Sequence, residues 1–211
     1  MFLNKGSALI RRWSRIFRVA VSFLFVLPGV GSSAMRTMTA GQFPLTVGSR
    51  WVYAVHDSIS GSNDTVHVMI IGTTRFAGGK PATLWQYRSG TSVDTQYVVR
   101  SGDTIRFYRS SDPGSITLGL VFPLSKGRTS SVLPPGTTRV QNVLTAKTPA
   151  GAFRHSFEVS YRPAVRNLVG GTTYTVAPRV GIVRISRVTL DTIELRRERT
   201  LWQLLSWSIA R

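Results

Sequence analysis

The 211-residue sequence predicts an all-β protein, an antiparallel meander of about ten strands forming a strongly curved sheet or half-barrel, preceded by a helical signal peptide. Three observations carry that expectation. Beyond residue 34 the apolar spacing is close to two, and helical spacing is hard to find. The alternating runs are rich in Val, Ile, Thr, Tyr, Phe and Trp, which suit a pleated surface. Between them stand turn signals such as Gly61-Ser62-Asn63-Asp64, Gly78-Gly79-Lys80-Pro81, Asp112-Pro113-Gly114, Pro134-Pro135-Gly136 and Pro149-Ala150-Gly151. Connections that short force neighbouring strands to run antiparallel.

The first 34 residues stand apart from this pattern. Lys5, Arg11, Arg12, Arg15 and Arg18 supply positive charge without an acid, the stretch Val19–Gly31 is uncharged, and Ser32 and Ala34 are the small residues expected before a cut ahead of Met35. They read as a cleavable general-secretion signal peptide, so the expected location is secreted or periplasmic. A transmembrane anchor is the rival, but the uncharged run from Val19 to Met35 spans only ~25 Å as a helix against the ~30 Å of a bilayer core. Arg11-Arg12 lacks the flanking pattern of a twin-arginine signal. Residues 35–42 are then a flexible N-terminal segment, and 43–211 a single β domain.

Composition removes several classes of function. There is no cysteine, which excludes a disulfide scaffold, a Cys-ligated zinc site and a thiol nucleophile. With 42% hydrophobic and 17% charged residues the chain is not disordered over most of its length. The 27 Lys+Arg against 9 Asp+Glu favour an acidic partner, a lipid or an anionic envelope component, but charge this dispersed biases encounter without making a site. Membrane contact is expected only through the signal segment before its cleavage. Nucleic acid is not expected, because no basic stripe is interleaved with aromatics. After the leader, the densest cluster is only Arg196-Arg197-Glu198-Arg199.

In order, the expected strands are Arg50–His56, Thr65–Gly72, Thr83–Arg88, Val93–Ser101, Thr104–Arg109, Arg139–Thr148, Phe153–Arg162, Thr172–Val176, Ile182–Leu190 and Thr192–Ser206. Phe153–Arg162 is the clearest, with Phe153, His155, Phe157, Val159 and Tyr161 on one face. The two-residue loop Gly102-Asp103 sets Tyr97 opposite Tyr108 and Val98 opposite Phe107. In the last segment Leu201, Leu204 and Leu205 also fit a short helix, but period two favours a strand. Phe43-Pro44-Leu45-Thr46-Val47-Gly48 is echoed by Phe122-Pro123-Leu124-Ser125-Lys126-Gly127. Six positions do not establish duplication; they imply that both places lead into the sheet in the same way.

Three motifs carry a resemblance. Phe43-Pro44-Leu45 through Gly48 to Trp51-Val52-Tyr53, then Thr148-Pro149-Ala150-Gly151-Ala152-Phe153, then Ala177-Pro178-Arg179-Val180-Gly181-Ile182-Val183 resemble the F-P-L-x-x-G-x-x-W-x-Y, T-P-A-G-x-F and A-P-x-V-G-x-V motifs of TapB-like bacterial exported proteins of unknown function. The resemblance implies an envelope or secreted β protein with a curved sheet or half-barrel, like the carriers that handle lipoproteins and other lipids. Where relatives carry a cysteine after T-P-A-G-x-F, this chain has Arg154, His155 and Ser156, so a thiol-dependent role is not implied here.

Catalysis is not expected. No G-x-S-x-G elbow is present, the nine acids show no paired pattern, and Gly78-Gly79-Lys80-Pro81 is not a phosphate loop. No cofactor or metal is implied, although a hairpin centred on Gly61-Ser62 would face His56 with His67 near Asp57 and Asp64. His155 reads as a hydrogen-bonded core histidine, and Gly170-Gly171 as a turn. The expected role is a non-catalytic binding module in which Trp51, Tyr53, Trp85, Tyr87 and Tyr161 line the concave face for an apolar or amphiphilic ligand. The alternative is an envelope assembly protein that pairs through sheet edges.

Overall fold

A computed structural model describes residues 37–131, 136–163, 168–193, 195 and 197–211; the expected signal peptide lies outside the described residues. The described residues form one compact unit. Its strands are β1 (Arg50–Asp57), β2 (Asn63–Arg75), β3 (Pro81–Ser89), β4 (Ser92–Ser101), β5 (Thr104–Tyr108), β6 (Ile116–Val121), β7 (Thr129–Ser131), β8 (Gly136–Thr148), β9 (Gly151–Pro163), β10 (Leu168–Ala177), β11 (Gly181–Asp191) and β12 (Arg197–Ser208). All twelve belong to one antiparallel sheet in the order β6-β5-β4-β3-β2-β1-β12-β11-β10-β9-β8-β7. First and last strands therefore pair, and the sheet curls into a nearly closed barrel. Among the described residues, the joint between β6 and β7 has no ladder.

Twelve strands replace the expected ten. The two additions are β6, which Gly119 and the preceding Asp112-Pro113-Gly114 turn disguise, and β7, which is three polar residues long. The predicted pairing of Tyr97 with Tyr108 and Val98 with Phe107 is observed. The last segment is a strand, begun at Arg197 rather than Thr192, because residues 192–193 form a turn after β11.

Alternation divides each strand between lumen and exterior. Trp51, Ile70, Ile105, Phe107, Leu120, Phe157 and Leu204 point inward and are almost fully buried. On the exterior, Phe76 from the β2–β3 turn covers Tyr97 and Tyr108, its ring centroid 4.3 Å from that of Tyr108.

The echoed hexapeptides build the same corner twice. Gly48 N–H donates to Ile70 O (2.8 Å) and Ile70 N–H to Ser49 O (3.0 Å); Gly127 N–H donates to Val140 O (2.8 Å) and Val140 N–H to Arg128 O (2.9 Å). Both glycines are left-handed, φ 90° and 85°, a conformation that favours glycine. Each corner is followed by a bulge at the same place on its partner strand, between Ile70 and Gly72 on β2 and between Val140 and Asn142 on β8. The barrel is thus two six-stranded halves with matching starts.

All three resemblance motifs meet at one end, where β1 begins. Residues 37–42, expected to be flexible, are instead packed there: Met38 pairs with Leu124, and Met38 and Ala40 are buried. Phe43 follows them inward to contact Trp85, Phe107 and Phe122, with centroids 6.1–6.4 Å apart. Arg179 N–H donates to Gln42 O (2.7 Å), and Ala150 N–H to Leu204 O (3.0 Å). This end of the barrel is closed.

Two readings are corrected by the ladders. His155 is exposed, at φ 58°, because Arg154 and His155 form a bulge opposite Thr145 that breaks the alternation of β9. Gly170-Gly171 is no turn but lies within β10, where added side chains would strike the Val188 and Tyr161 carbonyls.

Candidate functional site: the open end of the lumen

The aromatic residues expected to bind ligand all face the lumen, but they divide by depth. Trp51 and Tyr53 reach across to the β10–β11 hairpin, where Trp51 Nε1–H donates to Val180 O and the Tyr53 hydroxyl to Ile182 O, each at 2.7 Å. Trp51 and Trp85 stack at 4.9 Å. These three are buried and form the packed floor. Trp85 Nε1 lies among the rings without a hydrogen-bond partner, which costs about 1–3 kcal/mol.

Above the floor is a cavity of about 270 Å³. Its apolar walls come from facing sides of the barrel: Tyr87, Phe107 and Leu118 on one, Tyr174, Ile185 and Trp202 on the other. Asp94, Arg109 and Arg187 stand toward the mouth. At about 30 Å³ per water molecule the space equals roughly nine waters, just below the ~300 Å³ at which small-molecule sites begin. Tyr87 is the expected residue that lines it; Tyr161 lies half-buried near Tyr174. Tyr174 and Trp202 carry no local signal of this position, because facing the lumen together depends on pairing β10 with β11 and β11 with β12.

A run of tyrosines crosses the site. Burial raises Tyr53 well above the ordinary value of 10.0, and Tyr87, placed near Tyr174 and Asp94, is raised by burial as well. Burial also raises Tyr174, opposed by the Arg187 guanidinium and the Thr172 hydroxyl that hydrogen-bond it. Arg187 pairs in turn with Glu198 at 3.0 Å, a half-exposed contact of about 0–1 kcal/mol.

These shifts fix an alkaline response. Below pH 10 the tyrosines are neutral in folded and unfolded chains alike; above it the unfolded chain loses protons first, so stability falls as pH rises toward the raised folded values. Urea midpoints are expected to hold from pH 7 to about 9.5 and drop beyond it, with a shallower drop in Tyr53→Phe. An identical slope in both proteins would refute Tyr53 as a source.

The histidine reading does not survive the register. His56 pairs with Asn63, its Nδ1 3.0 Å from Asn63 Oδ1, whereas His67 pairs with Val52. The two rings sit on the outer face about 13 Å apart along the strands. Asp57 is engaged by the Ile59 and Ser60 amides, which lower its pKa, and Asp64 accepts the Ser89 hydroxyl. Among the described residues no three His, Cys, Asp or Glu side chains are grouped to hold a metal. Larger but more open hollows, of about 460 and 670 Å³, lie along β1–β3 beside Arg50, His67 and Arg88.

The geometry defines a β-barrel with one end packed and the other hollow. Its fold is similar to that of a Bacteroides fragilis protein taken to be exported, whose fold is named YmcC-like: TM-score 0.50 at 12% identity, over 82% of this chain and 100% of that one. A Parabacteroides distasonis protein taken to be a lipoprotein aligns over the same shares at TM-score 0.43 and 14% identity. No protein-family model and no curated sequence matches the chain.

Proposed function

We propose that this is an exported, non-catalytic binding module of the TapB-like kind that holds a small apolar or amphiphilic ligand in the open end of its barrel. The observation that carries the reading is the cavity itself, with aromatic walls on facing strands and a polar mouth. The leader and the TapB-like motifs support an extracytoplasmic location. Burial of apolar ligand surface against Tyr87, Tyr174 and Trp202 supplies affinity, and Arg187, Asp94 and Arg109 orient a polar head.

Solvent extraction of the purified protein followed by mass spectrometry is expected to recover an amphiphile. Trp202→Ala is expected to lower its recovery at least about tenfold, the factor that 1.4 kcal/mol provides. A folded barrel that yields no amphiphile overturns the reading.

The unladdered β6–β7 joint favours a second reading, in which a strand of an envelope partner pairs with the free edge of β6. Gly119→Pro and Val121→Pro, neither of which lines the cavity, would then abolish co-purification of that partner while leaving the extracted amphiphile unchanged.

A further inference from the structure

The meander sorts charge between the two ends of the barrel. At the closed end the β2–β3 connection presents Arg75 and Lys80, the β4–β5 connection Arg100, and the segment before β7 Lys126 and Arg128. Lys147 and Arg154 flank the β8–β9 turn, and Arg179 occupies the β10–β11 turn. Every lysine after the leader is in this set. All of these side chains are exposed except Arg128, which is half-buried. Asp103 is the one acid at that end among the described residues. Asp57, Asp64, Asp94, Asp112, Asp191 and Glu198 lie instead at strand ends or turns of the open end, interleaved with arginines.

Two apolar side chains stand amid the basic turns. Val47 in the first corner is 44% exposed and Trp207 near the end of β12 is 42% exposed. They belong to adjacent segments, since a Cβ on Gly48 would lie 3.5 Å from that of Ala210. Residue 37, which continues the chain from the leader, is also at this end through the Met38–Leu124 pairing.

We propose that the closed end docks on an anionic lipid bilayer. Lysine and arginine point charges spread over an end surface, with a tryptophan and a valine among them, match phosphate headgroups overlying an apolar layer. A polysaccharide or nucleic acid would use the charge but leave in water Val47 and the exposed part of Trp207, whose ring packs on Phe153 at 5.1 Å. The site is separate from the lumen cavity, which opens at the other end.

The test uses residues 35–211, which contain the compact unit's whole described core, in co-sedimentation with vesicles of phosphatidylcholine with or without phosphatidylglycerol. Binding is expected only to the anionic vesicles and is expected to be released by high salt. The triple variant Lys80→Glu, Lys126→Glu, Lys147→Glu is expected to lose at least about tenfold in partitioning. Arg88→Glu, Arg162→Glu, Arg199→Glu makes the same charge change at the open end and is expected to stay within about twofold of the unaltered protein. Equal losses from both triples, equal binding to phosphatidylcholine alone, or retention on soluble heparin without vesicle binding would each overturn the proposal.

Discussion

Phe43→Ala is expected to destabilise the barrel by about 3–5 kcal/mol, the range for emptying a buried aromatic site. Phe43 is 4% exposed and touches rings from three strands or segments: Trp85 on β3, Phe107 on β5, and Phe122 ahead of β7. Its loss removes edge and stacking contacts of about 0.5–1.5 kcal/mol each as well as the buried area. It also frees the segment that carries Met38 and Ala40, whose hold on the barrel otherwise comes from the Leu124 pairing and the Gln42–Arg179 hydrogen bond. Urea unfolding measures the cost directly. A loss below about 1 kcal/mol would mean that the floor closes without this ring.

Gly170→Val is expected to cost about 3 kcal/mol or more, by a different route. Gly170 lies inside β10 at φ 109°, opposite Thr189, and a Cβ there would sit 2.1 Å from the Val188 carbonyl oxygen. Backbone cannot move aside as a flexible side chain does, so the β10–β11 ladder must open locally. Gly72→Ala is the control, because its added methyl meets nothing within 4 Å; it is expected to shift stability by about 0.5 kcal/mol or less. Thermal unfolding and amide exchange in β10 and β11 separate the two outcomes. Similar melting of both variants would show that β10 tolerates a side chain at residue 170.

The meander was legible because a half-buried strand records its two faces in its own residues. Tyr97 and Val98 could be set against Tyr108 and Phe107 from one tight turn, and the ladder places them so. β7 was not legible, since three polar residues carry no period, and β6 reads as a loop beside its Pro-Gly turn and internal glycine. Closure was illegible for another reason. The pairing of β1 with β12 joins residues far apart in sequence and depends on how much the whole sheet curls.

The candidate site was half legible. Aromatic residues on alternating positions identified the inward face of β1 and β3, but not how deep each ring would lie. Trp51, Tyr53 and Trp85 became floor because residues 38–43 fill the space beneath them, and nothing local to those strands announces that segment. Tyr174 and Trp202 emerge only when opposite walls meet. The charge distribution was likewise hidden: Lys80, Lys126 and Lys147 are far apart along the chain, and the alternation of turns gathers them at one end.

A ring made of two like halves has two places where they meet, and covalent continuity is needed at only one. From Phe122 to Arg128 the peptide itself tethers one half to the other, so β7 can shrink to three residues without the circle parting. No peptide crosses between β1 and β12. There the ladder hydrogen bonds, with the Tyr53 and Trp202 rings 6.0 Å apart, do the fastening, and the partnership runs the full length of β1, from Arg50 opposite Ser208 to Asp57 opposite Thr200.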